Sequence, residues 1–159
     1  MGKRKKADTS QTDVFNIQEQ LSTAACVPAI RPRVKEWINS DYPGVTDTTR
    51  ELINYWFYTD HTLPNGSNFR YHKAQKESIE TLIYLFEIEK IRTRKDLLEK
   101  YAFNNKDLRL PPHDDFARYC IKMATGSGKT KVMSMAIVWQ FANAVKEDDK
   151  QYAQNFLIL

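Results

Sequence analysis

The segment Met123–Thr130, with the sequence M-A-T-G-S-G-K-T, constrains the fold more than any other part of the chain. Its small residues and glycines let successive backbone N–H groups converge on phosphate oxygens where the loop leads into a helix. Lys129 would reach the outer phosphates, and the Thr130 hydroxyl would coordinate a bridging Mg²⁺. The predicted phosphate-binding residues are Ala124, Thr125, Gly126, Ser127, Gly128, Lys129 and Thr130.

The strict form of this motif, G-x-x-x-x-G-K-[ST], requires a glycine where this chain has Met123. The flanking sequence still fits, because residues 116–123 are short and apolar, as expected of a buried strand. Residues 130–145 predict a helix that is apolar on two sides, and residues 155–159 predict a second strand. A strand, loop, helix and strand form a right-handed βαβ unit with parallel strands. The predicted fold class is therefore α/β, with the start of a parallel sheet whose missing strands we expect downstream of residue 159.

The sequence before this unit predicts helices. Apolar residues recur at helical spacing over residues 31–40, 48–58 and 73–90, and the Thr93-x-x-Asp96 spacing resembles a capping box that opens a shorter helix. Residues 103–115 read as a loop, and the basic, polar start of the chain reads as a mobile tail. We therefore predict a lead-in at 1–30, a mostly helical region at 31–116 and an incomplete nucleotide-binding domain at 117–159.

Composition narrows the function classes only moderately. A hydrophobic content of 42% supports one ordinary core, and a net charge of +4 is compatible with a polyanionic partner. The two cysteines, Cys26 and Cys120, have neither zinc-site spacing nor the density of a disulfide scaffold, so we expect a reduced intracellular protein. No apolar run reaches the ~20 residues of a membrane span, and the N-terminus lacks a signal-peptide pattern. A cytoplasmic protein without membrane contact is expected.

Hydrolysis of a nucleotide requires groups beyond the phosphate loop, notably an acidic residue that holds the magnesium. The acidic run after Lys129, Glu147–Asp149, follows the predicted helix directly and is interpreted as its solvated end. The three histidines, His61, His72 and His113, have no common metal-binding spacing. Trp37, Trp56 and Trp139 lie on apolar helix faces and are expected in the core. The sequence therefore supports nucleotide binding better than turnover by this chain alone.

The string IKMATGSGKTKVMSMAIVWQF resembles the ATP-binding motif of superfamily 2 helicases, and of the type III restriction enzyme Res subunit in particular. The upstream string FRYHKAQKESIETLIYL is similar to the adenine-recognition element of these motors, with Gln75 as its glutamine and Arg70 or Tyr71 beside it. The resemblance implies a RecA-like fold, ATP and Mg²⁺ as cofactors and Lys129 as a catalytic residue.

The same resemblance implies that the complete motor moves along double-stranded DNA and has a DNA-methylating modification subunit as a partner. The acidic box and the second lobe of such motors have no counterpart in the sequence, so we expect the chain to be the N-terminal part of one. The main alternative is an interaction module whose helical region docks a partner and whose phosphate loop is a non-hydrolysing relic. A small P-loop kinase is disfavoured because the chain has no room for lid and acceptor-site elements.

Overall fold

The computed structural model describes residues 26–102 and 119–158. These residues divide into two compact units: a smaller one of residues 26–33 and 91–102, and a larger one of residues 34–90 and 119–158. The elements are α1 (Val27–Asn39), α2 (Asp47–Tyr58), β1 (His61–Thr62), β2 (Asn68–Phe69), α3 (Lys73–Ile83), a π-helical turn (Tyr84–Ile88), α4 (Arg94–Tyr101) and α5 (Lys129–Lys146). The four helices predicted upstream of the phosphate loop and the one predicted after it are confirmed, with shifted ends.

The smaller unit contains the beginning of α1 and the whole of α4. The predicted capping box is confirmed, because the Thr93 hydroxyl accepts a hydrogen bond from the Asp96 amide at 3.1 Å while the Asp96 carboxylate accepts from the Thr93 amide at 2.9 Å. The guanidinium carbon of Arg33 lies 5.1 Å from the centre of the Tyr101 ring, a cation–π distance. The side chains of Ile30 and Leu98 are buried.

The larger unit has its core where α2 and α3 pack against α5. Helix α2 begins at a threonine cap, since the Thr46 hydroxyl accepts from the Thr49 amide. The core contains the predicted apolar faces of these helices, and all three tryptophans are at most 5% exposed, as expected. The buried apolar side chains at its centre are Ile53, Trp56, Ile79, Ile83, Val132, Met135 and Trp139.

The parallel strands predicted around the phosphate loop are not formed among the described residues. Residues 119–124 and 153–158 adopt no regular secondary structure there, and the only described sheet is the two-residue antiparallel pairing of β1 with β2. A parallel strand exchanges hydrogen bonds with neighbouring strands, and the described residues offer neither segment such a neighbour. The architecture described is thus mainly helical, with a small hairpin between α2 and α3.

The predicted helix over residues 73–90 is also modified, because α3 ends at Ile83 and a π-helical turn continues to Ile88. Residues 1–25, including most of the predicted lead-in, and the predicted loop at 103–115 lie outside the described residues. No helix within the described ranges is long and apolar enough to cross a membrane.

Candidate nucleotide-phosphate site

The phosphate loop lies at the start of α5. Gly126 and Gly128 both have φ of +78°, a left-handed conformation that glycine adopts without steric cost, and Gly128 is the N-terminal cap of the helix. The turn is closed by the Ser127 hydroxyl, which donates to the Ala124 carbonyl oxygen at 2.6 Å. The Lys131 amide donates to the Gly128 carbonyl at 3.0 Å and so starts the helical ladder. Since the amides of Lys129 and Thr130 precede this ladder at the positive end of the helix dipole, this end favours an anion.

Lys129 folds back over the loop. Its ammonium group donates to the carbonyl oxygens of Met123 at 3.3 Å and Ala124 at 3.1 Å. The side chain is exposed, as is that of Thr130, which follows it on the first turn of α5. Both groups therefore lie at the mouth of the loop, where a phosphate could replace the two carbonyls as the partner of the ammonium.

Gln75 lies against the same loop and is only 5% exposed. Its Nε2 donates to the Ser127 carbonyl at 3.3 Å, and its Oε1 accepts from the His72 amide at 2.9 Å, which caps α3. A Cβ atom added to Gly128 would lie 2.1 Å from the Gln75 Nε2. The side chain thus joins the start of α3 to the phosphate loop through close contact with a glycine that has no room for a side chain.

The hairpin before α3 places a group of aromatic rings beside the phosphate-loop helix. The ring centres of Phe69 and Tyr71 are 4.9 Å apart in an edge-to-face arrangement, and those of Tyr71 and Phe57 are 5.7 Å apart. The Lys131 ammonium lies 5.2 Å from the Phe69 ring centre. Burial raises the pKa of the Tyr71 hydroxyl. The sequence analysis did not identify this cluster, because its contact with Lys131 depends on the tertiary structure.

The acidic residue and the histidines that the structure describes take part in local contacts. Glu147 ends α5 and accepts hydrogen bonds from the Thr48 amide and hydroxyl, which lower its pKa. His72 caps α3, and the His61 ring contacts the Tyr55 carbonyl at 2.8 Å. Within the part of the chain that the structure describes, no group of three His, Cys, Asp or Glu side chains is arranged to hold a metal ion. His113 lies outside that part.

In a comparison with protein families, residues 68–159 match the type III restriction enzyme Res subunit. This range begins at β2, includes Gln75 and the phosphate loop, and covers more than half of the 159 residues. The chain belongs to the type III restriction enzyme Res subunit family. No curated protein and no solved structure matches the chain.

Membership of the Res family makes the chain a relative of the helicase-like ATPases of superfamily 2 and implies a RecA-like fold. The matched range includes residues from both chain segments of the larger unit, 34–90 and 119–158, which contact each other through Gln75 and Ser127. The resemblance drawn from the sequence strings is therefore confirmed at the level of the family.

Proposed function

We propose that this chain binds the triphosphate of ATP at the loop Ala124–Thr130, as the nucleotide-binding part of a helicase-like motor. The observation that carries this proposal is the pair of left-handed glycines, Gly126 and Gly128, directly before the amides that open α5. Backbone N–H groups and the helix dipole favour a phosphate at this position. Membership of the Res family adds independent support.

Lys129 would leave the Met123 and Ala124 carbonyls to bind the β- and γ-phosphates, and it would neutralise charge that develops between them during transfer. Thr130 would supply its hydroxyl to a Mg²⁺ ion that bridges the same phosphates. In this proposal, Lys129 is the catalytic residue that the described part of the chain contributes.

Gln75 is proposed to recognise the adenine edge. Its two observed hydrogen bonds use one amide hydrogen and one oxygen lone pair, and a glutamine amide carries a second of each. That remaining donor and acceptor match the donor and acceptor of an adenine edge. Because Gln75 also contacts Ser127, base recognition at this residue would act directly on the loop that holds the phosphates.

The RecA-like parallel sheet of the family is proposed to cover the outer side of α5. Met133, Phe141 and Val145 recur at multiples of four residues on this helix and are 43%, 49% and 58% exposed. Such an apolar stripe opposite an already buried face is typical of a helix that is covered on both sides. In the complete motor, the assembled domain would couple ATP hydrolysis to movement along double-stranded DNA. A DNA-methylating modification subunit would be its protein partner.

The proposal is tested by titrating the full chain with a fluorescent ATP analogue in the presence of Mg²⁺. Lys129→Ala should weaken binding by about tenfold or more, because a charge-assisted phosphate contact contributes about 1.5–3 kcal/mol. Lys146→Ala is the matched control, since it removes the same charge from the other end of α5. Equal binding by wild type and Lys129→Ala would show that the loop is a relic, as in an interaction module. Gln75→Ala should weaken ATP more than GTP if the adenine role is correct.

A further inference from the structure

A buried carboxylate, Glu87, lies in the π-helical turn and contacts the phosphate-loop helix. Its side chain is 3% exposed. One oxygen accepts from the Trp139 indole N–H at 2.7 Å and from the Thr49 hydroxyl, and the other accepts from the Thr46 amide at 3.2 Å. A buried charge is costly unless it is hydrogen-bonded, and this one is bonded to both α2 and α5.

The hydrogen bonds of Gln75 and Glu87 both join α3 and its π-helical extension to the loop and to α5. Gln75 bonds to Ser127 and Glu87 bonds to Trp139, and each pair is separated by 52 positions in the sequence. Glu87 follows Gln75 by the same number of residues as Trp139 follows Ser127. The two segments therefore run in the same direction. Gln75 contacts the phosphate loop itself, whereas Glu87 contacts α5 further along.

The π-helical turn explains why Glu87 can take part. Each residue of an α-helix advances by about 100°, so residues twelve positions apart, like Gln75 and Glu87, would point roughly 120° apart. A π-helical turn accommodates one additional residue, so the difference falls towards the roughly 20° of an eleven-residue separation. The turn therefore brings Glu87 onto the face that carries Gln75. The preceding residue, Phe86, packs its ring 5.3 Å from that of Trp139.

Asn143 extends the same network by one turn of α5. Its Nδ2 donates to the Thr49 hydroxyl at 2.9 Å, and its Oδ1 accepts from the Thr46 hydroxyl. It is fully buried. The network fixes both the rotation and the axial position of α5, because each of its hydrogen bonds requires a particular partner at a particular height along the helix.

We propose that Glu87 is a positioning residue for the phosphate loop: by holding Trp139 and the start of α2, it sets the register of α5 and hence the orientation of the amides that face the nucleotide. The expected effect of Glu87 on ATP binding rests on the proposed function. Its effect on the orientation of the loop does not require a nucleotide. Helices α2 and α3 are accordingly part of the nucleotide-binding unit, and their packing determines the geometry of the site.

The experiment uses Glu87→Gln in the full chain. The glutamine amide keeps the size of the carboxylate but replaces one accepting oxygen with a donating NH₂ group. Either the Thr46 amide or the Trp139 indole N–H therefore loses its acceptor. The matched control is Ile53→Val, which shortens a buried side chain of α2 outside the network. Trp139→Phe is a second variant that removes the other partner of the contact.

The first readout is hydrogen exchange of the Lys131 and Val132 amides, measured by NMR without nucleotide. Both amides donate to the Gly128 carbonyl and so report the first turn after the loop. We expect exchange about threefold to tenfold faster in Glu87→Gln and Trp139→Phe than in Ile53→Val when all are compared at equal global stability. Combining Glu87→Gln with Trp139→Phe should add little, because both remove the same bond. Exchange that matches Ile53→Val in both variants would overturn the proposal.

The second readout is affinity for the fluorescent ATP analogue. We expect binding about threefold to tenfold weaker in Glu87→Gln and unchanged in Ile53→Val. Affinity equal to that of Ile53→Val would overturn the role of Glu87 in binding. If instead wild type and Lys129→Ala bind equally, the proposed phosphate site fails, and the exchange measurement still decides whether Glu87 positions the loop.

Discussion

Replacing Gly128 with alanine gives a direct test of the packing between Gln75 and the phosphate loop. Gly126 and Gly128 have the same φ of +78°, but only Gly128 lacks space, because an added Cβ would meet the Gln75 Nε2 at 2.1 Å and nothing within 4 Å at Gly126. Gly126→Ala therefore reports the conformational cost of alanine in the left-handed region. Gly128→Ala reports that cost together with the displacement of Gln75.

The expected magnitudes follow from these contacts. A left-handed alanine costs about 1–2 kcal/mol at either position. Displacing the Gln75 amide also breaks two hydrogen bonds worth about 0.5–1.5 kcal/mol each, and the one to Ser127 is long at 3.3 Å. Gly128→Ala should thus lower the free energy of unfolding by about 1–2 kcal/mol more than Gly126→Ala.

Urea unfolding followed by tryptophan fluorescence measures this difference, since all three tryptophans are buried. The same two substitutions are then made in a Gln75→Ala background, where the difference between them should fall to about 0.5 kcal/mol or less. Equal losses for Gly126→Ala and Gly128→Ala, or a difference that persists without Gln75, would refute the reasoning.

Other predictions concern the buried polar groups and the cap of α4. Burial raises the pKa of Glu80 above its ordinary 4.5 despite opposing hydrogen bonds, so the native state holds its proton to higher pH than the unfolded chain. The free energy of unfolding should therefore fall as the pH rises from 4.5 through the raised pKa of Glu80. Urea unfolding of Glu80→Gln at a series of pH values should show a smaller fall. Thr49→Val should cost about 1–3 kcal/mol in urea unfolding, because Asn143 loses a buried acceptor. Thr93→Ala should cost about 1 kcal/mol through loss of the α4 cap, and NMR should show the lowered pKa of Asp96 moving up towards its ordinary value.

Local sequence patterns were sufficient for the helices and for the phosphate loop. The spacing of Ile79, Ile83 and Phe86, the Thr93–Asp96 box and the G-S-G-K-T string all predict elements that the structure contains. These features depend on residues within one or two turns of each other, so the local sequence carries the information. The expected strands beside the loop are the counterexample, because a strand requires hydrogen bonds from residues distant in sequence.

The contacts around the loop depended on tertiary structure. The sequence singled out Gln75 through its family resemblance, but only the fold shows that its amide joins His72 to Ser127. Nothing local indicates that Glu87 is buried or that a π-helical turn directs it towards Trp139. The sequence by itself determined which segments become helices and which loop carries the phosphate-binding motif, since both follow from short-range geometry. Only the packing of α3 beside α5 decided which polar side chains contact the loop and its helix, because partners 52 positions apart meet through folding alone.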